Sequence, residues 1–171
     1  MKTRIFQGMA ILGVLCLGAV LLCGCSSTLS AGAAKSIVIN APPEKVYEYL
    51  MDLQRHQEWD PGAVITNVEG SGLGRSCDVS RKLVGKEYKV HSVLVDVVPN
   101  QRIVEVNTGD VNATFTTLLL PVSGGTKVIV VATGASEVPA FAKAVSKRAL
   151  KEFEDSVESG MKKFKAAVEK Q

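Results

Sequence analysis

Six β-prone runs lie between residues 63 and 133, and none of the breaks between them is long enough to hold a crossover helix. The runs are 63–69, 75–83, 86–98, 102–107, 113–121 and 126–133. The breaks are Gly70-Ser71-Gly72, Val84-Gly85, Pro99-Asn100-Gln101, Thr108-Gly109-Asp110 and Ser123-Gly124-Gly125. Parallel neighbours need a connection of about a dozen residues or more, so these strands must pair as consecutive antiparallel hairpins. An earlier run, KSIVIN at 35–40, adds a seventh strand.

Helical spacing flanks this block on both sides. Ala41-Pro42-Pro43-Glu44 opens a helix: proline loses no hydrogen bond in a first turn, and Glu44 complements the positive end of the helix dipole. Val46, Tyr49, Leu50 and Leu53 follow at steps of three and four, giving an amphipathic helix to about Asp52. A second helical turn is expected over 54–58, closed by Trp59-Asp60-Pro61. At the other end Pro139 starts a helix to about Glu169. Its apolar stripe is Phe141, Val145, Leu150, Phe153, Val157, Met161, Phe164 and Val168. At ~1.5 Å per residue it is roughly 45 Å long and needs a sheet to lie on. Gly160, beside that stripe, reads equally as a kink, a close approach or a tolerated glycine. The expected class is α+β: an antiparallel sheet of about seven strands around a long C-terminal helix, with two short helices after the first strand.

The first residues have a different character. Lys2 and Arg4 precede residues 9–22, MAILGVLCLGAVLL, which carry no charged or polar side chain. As a helix this run spans roughly 21 Å, short of the ~30 Å hydrocarbon core, so it reads as a signal peptide and not as a spanning helix. Leu22-Cys23-Gly24-Cys25 resembles the bacterial lipobox, whose cysteine is acylated and becomes the first residue after cleavage. The resemblance selects Cys25, because bulky Leu22 precedes Cys23. Ser26 stands where the inner-membrane retention signal has Asp, which favours the outer membrane and a periplasm-facing domain. The expected organisation is a signal peptide over 1–24, a lipidated N-terminus and flexible tether over 25–34, and a folded domain over 35–171.

With that leader removed, 18 basic residues face 17 acidic ones, and the raw net charge of +3 falls to +1. So small a balance gives no footprint for nucleic acid. Of four cysteines, Cys77 alone remains as a thiol, so neither a disulfide framework nor a cysteine metal site is expected. A composition 46% hydrophobic and 22% charged excludes a disordered chain, and 171 residues suit one domain.

The segment IVINAPPEKVYEYLMDLQRHQEWDP (37–61), together with Arg81-Lys82-Leu83-Val84-Gly85, Val95-Asp96-Val97-Val98-Pro99, Pro121 and Gly124-Gly125-Thr126, resembles the START-like (helix-grip, SRPBCC) superfamily, and within it the polyketide cyclase/dehydrase-like branch. The resemblance covers residues 35–169. It implies a cavity between the concave face of the sheet and the long helix. Its motifs are packing and turn residues, so they say little about activity.

Hairpin geometry places the candidate side chains. With Val84-Gly85 as a two-residue turn, Asp78 pairs with His91 and Lys82 with Glu87 on a solvent face, while Arg81 pairs with Tyr88 on the opposite, otherwise apolar face. A buried arginine needs a carboxylate or a ligand's polar group, unless it snorkels out at the strand end. Arg81 and Tyr88 are therefore the candidate polar grip on a ligand, with Phe115, Phe153 and Val157 as apolar walls. No metal-ligand spacing, phosphate loop, dinucleotide fingerprint or nucleophile elbow is present, and no cofactor is expected. His56 reads as a surface residue.

The expected function is a monomeric, membrane-tethered lipoprotein that binds or shuttles a lipid, isoprenoid or quinone-like molecule. Two alternatives remain open. One is a cyclase or dehydratase using Tyr88, Arg81 or Asp96. The other is a non-catalytic envelope module that binds a protein.

Overall fold

The computed structural model describes residues 26–83, 85–139 and 143–170. Seven strands form one antiparallel sheet: β1 (Ser26–Ile39), β2 (Ala63–Glu69), β3 (Ser76–Leu83), β4 (Lys86–Val98), β5 (Arg102–Gly109), β6 (Asn112–Val122) and β7 (Gly125–Pro139). Their spatial order is β1-β7-β6-β5-β4-β3-β2, so every neighbour but β1 is joined by a hairpin. Between β1 and β2 lie α1 (Pro43–Met51), a 3-10 turn (Leu53–Arg55) and α2 (His56–Trp59). The long helix α3 (Lys143–Glu169) follows β7. This is a helix-grip fold, with α3 packed on one face of the curved sheet.

Two boundaries correct the sequence reading. Residues 26–34, expected as a flexible tether, are strand: β1 begins at Ser26 and pairs with β7 from Ser26↔Pro139 to Ile39↔Thr126. Small residues carry little intrinsic strand preference, but β7 runs on to Pro139 and offers them its edge, and tertiary pairing overrides local propensity. For the same reason Pro139 closes β7 instead of opening the helix, and α3 is described from Lys143. Cys25 and Phe141 lie outside the described residues, as do the side chains of Val145 and Leu150.

The packed core sits at one end of the sheet. Ile39, Ala41, Val46, Tyr49, Leu119, Val128, Met161, Phe164 and Val168 are buried together. Phe164 is the hub, edge-on to Tyr49 at 5.7 Å and to Trp59 at 5.5 Å between ring centroids. Polar ties hold the C-terminal end of α3 to β1. The Asn40 backbone N–H donates to Glu169 Oε1 at 2.7 Å, and Lys165 Nζ donates to the Val38 carbonyl at 2.7 Å. Thr126, fully buried, donates its hydroxyl to the Ala41 carbonyl at 2.7 Å. Beside it Gly125 has φ +139°, and a Cβ there would overlap the Ile39 carbonyl oxygen. Only glycine lets β7 start this close to the end of β1.

Gly160 marks a close approach. It is buried in α3, and a Cβ at this position would lie 3.6 Å from the Trp59 carbonyl oxygen and 4.0 Å from its indole ring. The short α2 therefore lies directly on the long helix.

Candidate functional site

Ladder register decides which side chains face α3. Arg81↔Tyr88, Val79↔Val90 and Cys77↔Ser92 pair across β3 and β4 as the hairpin argument requires. The same parity sets Asp78 against His91 on the outer face, where both are about half exposed and His91 Nδ1 lies 2.9 Å from Asp78 Oδ1. Asn67 Nδ2 donates to the other Asp78 oxygen at 2.7 Å, and that bond, then the one with His91, holds the Asp78 carboxyl below its usual range. The pair is a solvated surface feature.

On the inner face Arg81 has a protein partner. Its Nη2 bonds Asp60 Oδ2, and its Nη1 donates to Ser156 Oγ at 3.2 Å. His56 Nε2 lies 3.5 Å from the same Asp60 oxygen, and His56 packs on Trp59 at 4.0 Å between centroids. Burial works to raise the Asp60 pKa, but the His56 hydrogen bond and the Arg81 charge outweigh it, so the carboxyl sits below its usual value. Arg81 thus links β3, the loop after α2 and α3. The arginine's need for a carboxylate is legible in the sequence, and Asp60 stands in Trp59-Asp60-Pro61, but no local spacing connects the two. Ser156 carried no signal beyond its place on the helix.

The remaining candidates divide between two regions. Phe115 and Phe153 meet edge-on at 5.8 Å across the gap between β6 and α3. Tyr88, half-buried, carries Lys86 Nζ over its ring at 4.8 Å. Val157 packs instead against the core cluster at the packed end. Structure therefore brings Phe115 to Phe153, and Arg81 to Ser156 one turn further along α3, while Val157 belongs to the packed end.

Residue size changes along the inner face. Toward the core it presents Ile39, Leu119 and Val128. At Phe115 its partner Ala132 pairs in turn with Ala33, and two residues further along the ladders lie Ala113 and Gly134. Asn107 also lies on this face, paired with Ser92 and with Ala113. Its Oδ1 is buried with no hydrogen-bond partner among the described residues. A buried unpaired amide oxygen loses its water without replacement and is a ready acceptor for a donor brought by a ligand. Sequence reasoning missed it because a bulge between Leu94 and Asp96 shifts the β4–β5 register.

A solvent-open groove of about 720 Å³ lies at the other end of the sheet, between the end of α1 and the β2–β3 connection. Met51, Leu53, Ile65 and Val68 line it, with Arg75 beneath. The Arg75 guanidinium is held by the Met51 carbonyl at 2.8 Å and by Glu105 at 3.5 Å. Among the described residues no group of three or more His, Cys, Asp or Glu is placed to hold a metal ion.

Sheet order, the helices after β1 and the docked α3 define a helix-grip, SRPBCC-type protein. Residues 30–169 match the family described as polyketide cyclase / dehydrase and lipid transport, and the chain belongs to that family. Solved structures share the fold at low identity. The ZhuI aromatase/cyclase from Streptomyces sp. R1128 is 13% identical, covering 82% of this chain and 94% of its own, with a TM-score of 0.68. TTHA0849 from Thermus thermophilus is 23% identical, covering 82% and 97%, with a TM-score of 0.67. Ara h 8.0201 is 16% identical, covering 84% and 100%, with a TM-score of 0.63. No curated protein matches the chain.

Proposed function

We propose that this protein is an acyl-anchored carrier which binds a hydrophobic small molecule, of lipid, isoprenoid or quinone type, between the inner face of the sheet and the first half of α3. The observation that carries the reading is the change in side-chain size along that face. Ile39, Leu119 and Val128 fill one end, whereas Ala33, Ala113, Ala132 and Gly134 present only small side chains beside Phe115. Family membership supports it, since lipid transport is part of the family's description. Phe115 and Phe153 supply an apolar wall, and Asn107 Oδ1 supplies one acceptor for a ligand hydroxyl. Arg81 closes the site through its pairing with Asp60 and Ser156. Acylation of Cys25, at the lipobox, holds the carrier at the membrane; one chain binds only marginally, while several chains anchor stably.

The test is to purify the full-length protein from bacterial membranes, extract it with organic solvent and identify co-purifying molecules by mass spectrometry. The stripped protein is then titrated with a dansylated long-chain fatty acid. A hydrophobe in the extract, and saturable binding lost in Ala132→Phe, support the reading. An empty extract with unsaturable probe binding overturns it. The mass of the N-terminal peptide reports acylation separately.

A further inference from the structure

The strand ladders gather one set of features at a single end of the sheet. Ser26 starts β1 opposite Pro139 at the end of β7, Asn112 pairs with Ala135, Leu83 with Lys86, and Ala63 with Arg81. The β3–β4 and β5–β6 turns, the beginning of α3 and the first residue after Cys25 therefore share one end. The core, α1 and the C-terminus of α3 are held at the other, where Glu169 meets Asn40.

Charge is uneven between these ends. The β3–β4 hairpin carries Lys82, Lys86 and Lys89 against Glu87. The first three turns of α3 carry Lys143, Lys147, Arg148 and Lys151 against Glu152. Asp110 in the β5–β6 turn and Glu137 in β7 lie there too, as does the Arg81–Asp60 ion pair, so eight bases face five acids, a net of +3. Residues 26–171 hold 18 bases and 17 acids, so everything else sums to −2. Lys82, Lys86, Lys89, Lys147, Arg148 and Lys151 are all exposed.

We propose that this cationic end is a docking surface for anionic phospholipid headgroups, so that the domain stands on the bilayer with both hairpin tips and the start of α3 facing the lipid. The orientation rests on the acyl-anchor reading; the headgroup contact does not. Because β1 starts at Ser26, an acyl group on Cys25 leaves no slack. Whatever end of the sheet carries Ser26 is pulled to the interface, and that end bears the positive charge. Each exposed Lys or Arg near an anionic surface contributes about 1 kcal/mol, a factor of about five in affinity.

The experiment reconstitutes the full chain in vesicles of phosphatidylglycerol and phosphatidylethanolamine, or of phosphatidylcholine alone. Lysine reactivity toward an N-hydroxysuccinimide ester is then mapped by mass spectrometry. Lys82, Lys86, Lys89 and Lys147 are expected to be several-fold protected on the anionic vesicles, with protection lost in high salt. Lys162 and Lys163, far along α3, are expected to react alike on both. In the unacylated Cys25→Ser chain, Lys82→Glu with Lys86→Glu should weaken anionic-vesicle binding at least tenfold, and Lys162→Glu with Lys163→Glu should not. Equal labelling at both ends, indifference to the headgroup, or equal effects of the two charge-reversed pairs overturns the proposal. An unacylated Cys25 would remove the anchor while leaving the Cys25→Ser comparison to decide the surface, and an empty carrier site would alter neither readout.

Discussion

Arg81 shows how a single side chain can be placed by register and still acquire its role from elsewhere. Strand parity turns it inward, and a guanidinium there must be paired. Asp60 supplies the pairing from the loop after α2, and Ser156 completes it from α3. Asp60→Asn should cost about 2 kcal/mol at neutral pH, as expected for a charge-assisted bond that is largely shielded from water. Its folded-state pKa is depressed, so the stabilisation is present above the unfolded value of about 3.9 and is lost as pH falls through the folded value. Chemical denaturation of both proteins from pH 7 to pH 3 should show their curves converging at the acid end. A constant gap across that range would assign the pair no electrostatic role. Asn107→Leu is expected to keep or raise stability, because it removes an unpaired buried oxygen, while weakening binding of a hydroxylated ligand; thermal melts and titration separate the two effects.

Elements follow local pattern where the pattern is strong and depart from it where a neighbour decides. The β3–β4 hairpin was legible to the residue, since a two-residue turn leaves one register. Alternation cannot reveal that 26–34 is strand, because SSTLSAGAA has the composition of a linker and needs the edge of β7 to be ordered. A chain beginning at Lys35 should melt several degrees below one beginning at Ser26, a loss of about 2 kcal/mol or more, by circular dichroism. Equal melting would mean that this part of β1 adds nothing to the fold. Glycines in two elements give opposite expectations. Gly125→Ala, driven against a carbonyl oxygen, should cost about 3 kcal/mol. Gly160→Ala meets only ordinary contacts and should gain up to about 1 kcal/mol from helix propensity.

At the scale of the whole molecule, architecture was readable and the site only partly. Short breaks forced antiparallel pairing, and a long one-sided helix had to cover the sheet. That Ala33, Ala113, Ala132 and Gly134 gather beside Phe115 depends on the β6–β7 and β1–β7 ladders, and the second joins strands from opposite ends of the chain, a register that local spacing does not set. On the proposed function, Ala113→Phe puts a large ring where the ligand would lie and should lower affinity for the dansylated probe at least tenfold while leaving the melting temperature within a few degrees. Retained affinity would move the ligand elsewhere, with the groove above Arg75 as the next place to look. The chain's one tryptophan, Trp59, lies where α2 rests on α3 beside Phe164. Its emission is therefore a native, label-free gauge of whether the short helix is seated on the long one, and any guest or bilayer contact that lifts the long helix should register in that one fluorophore.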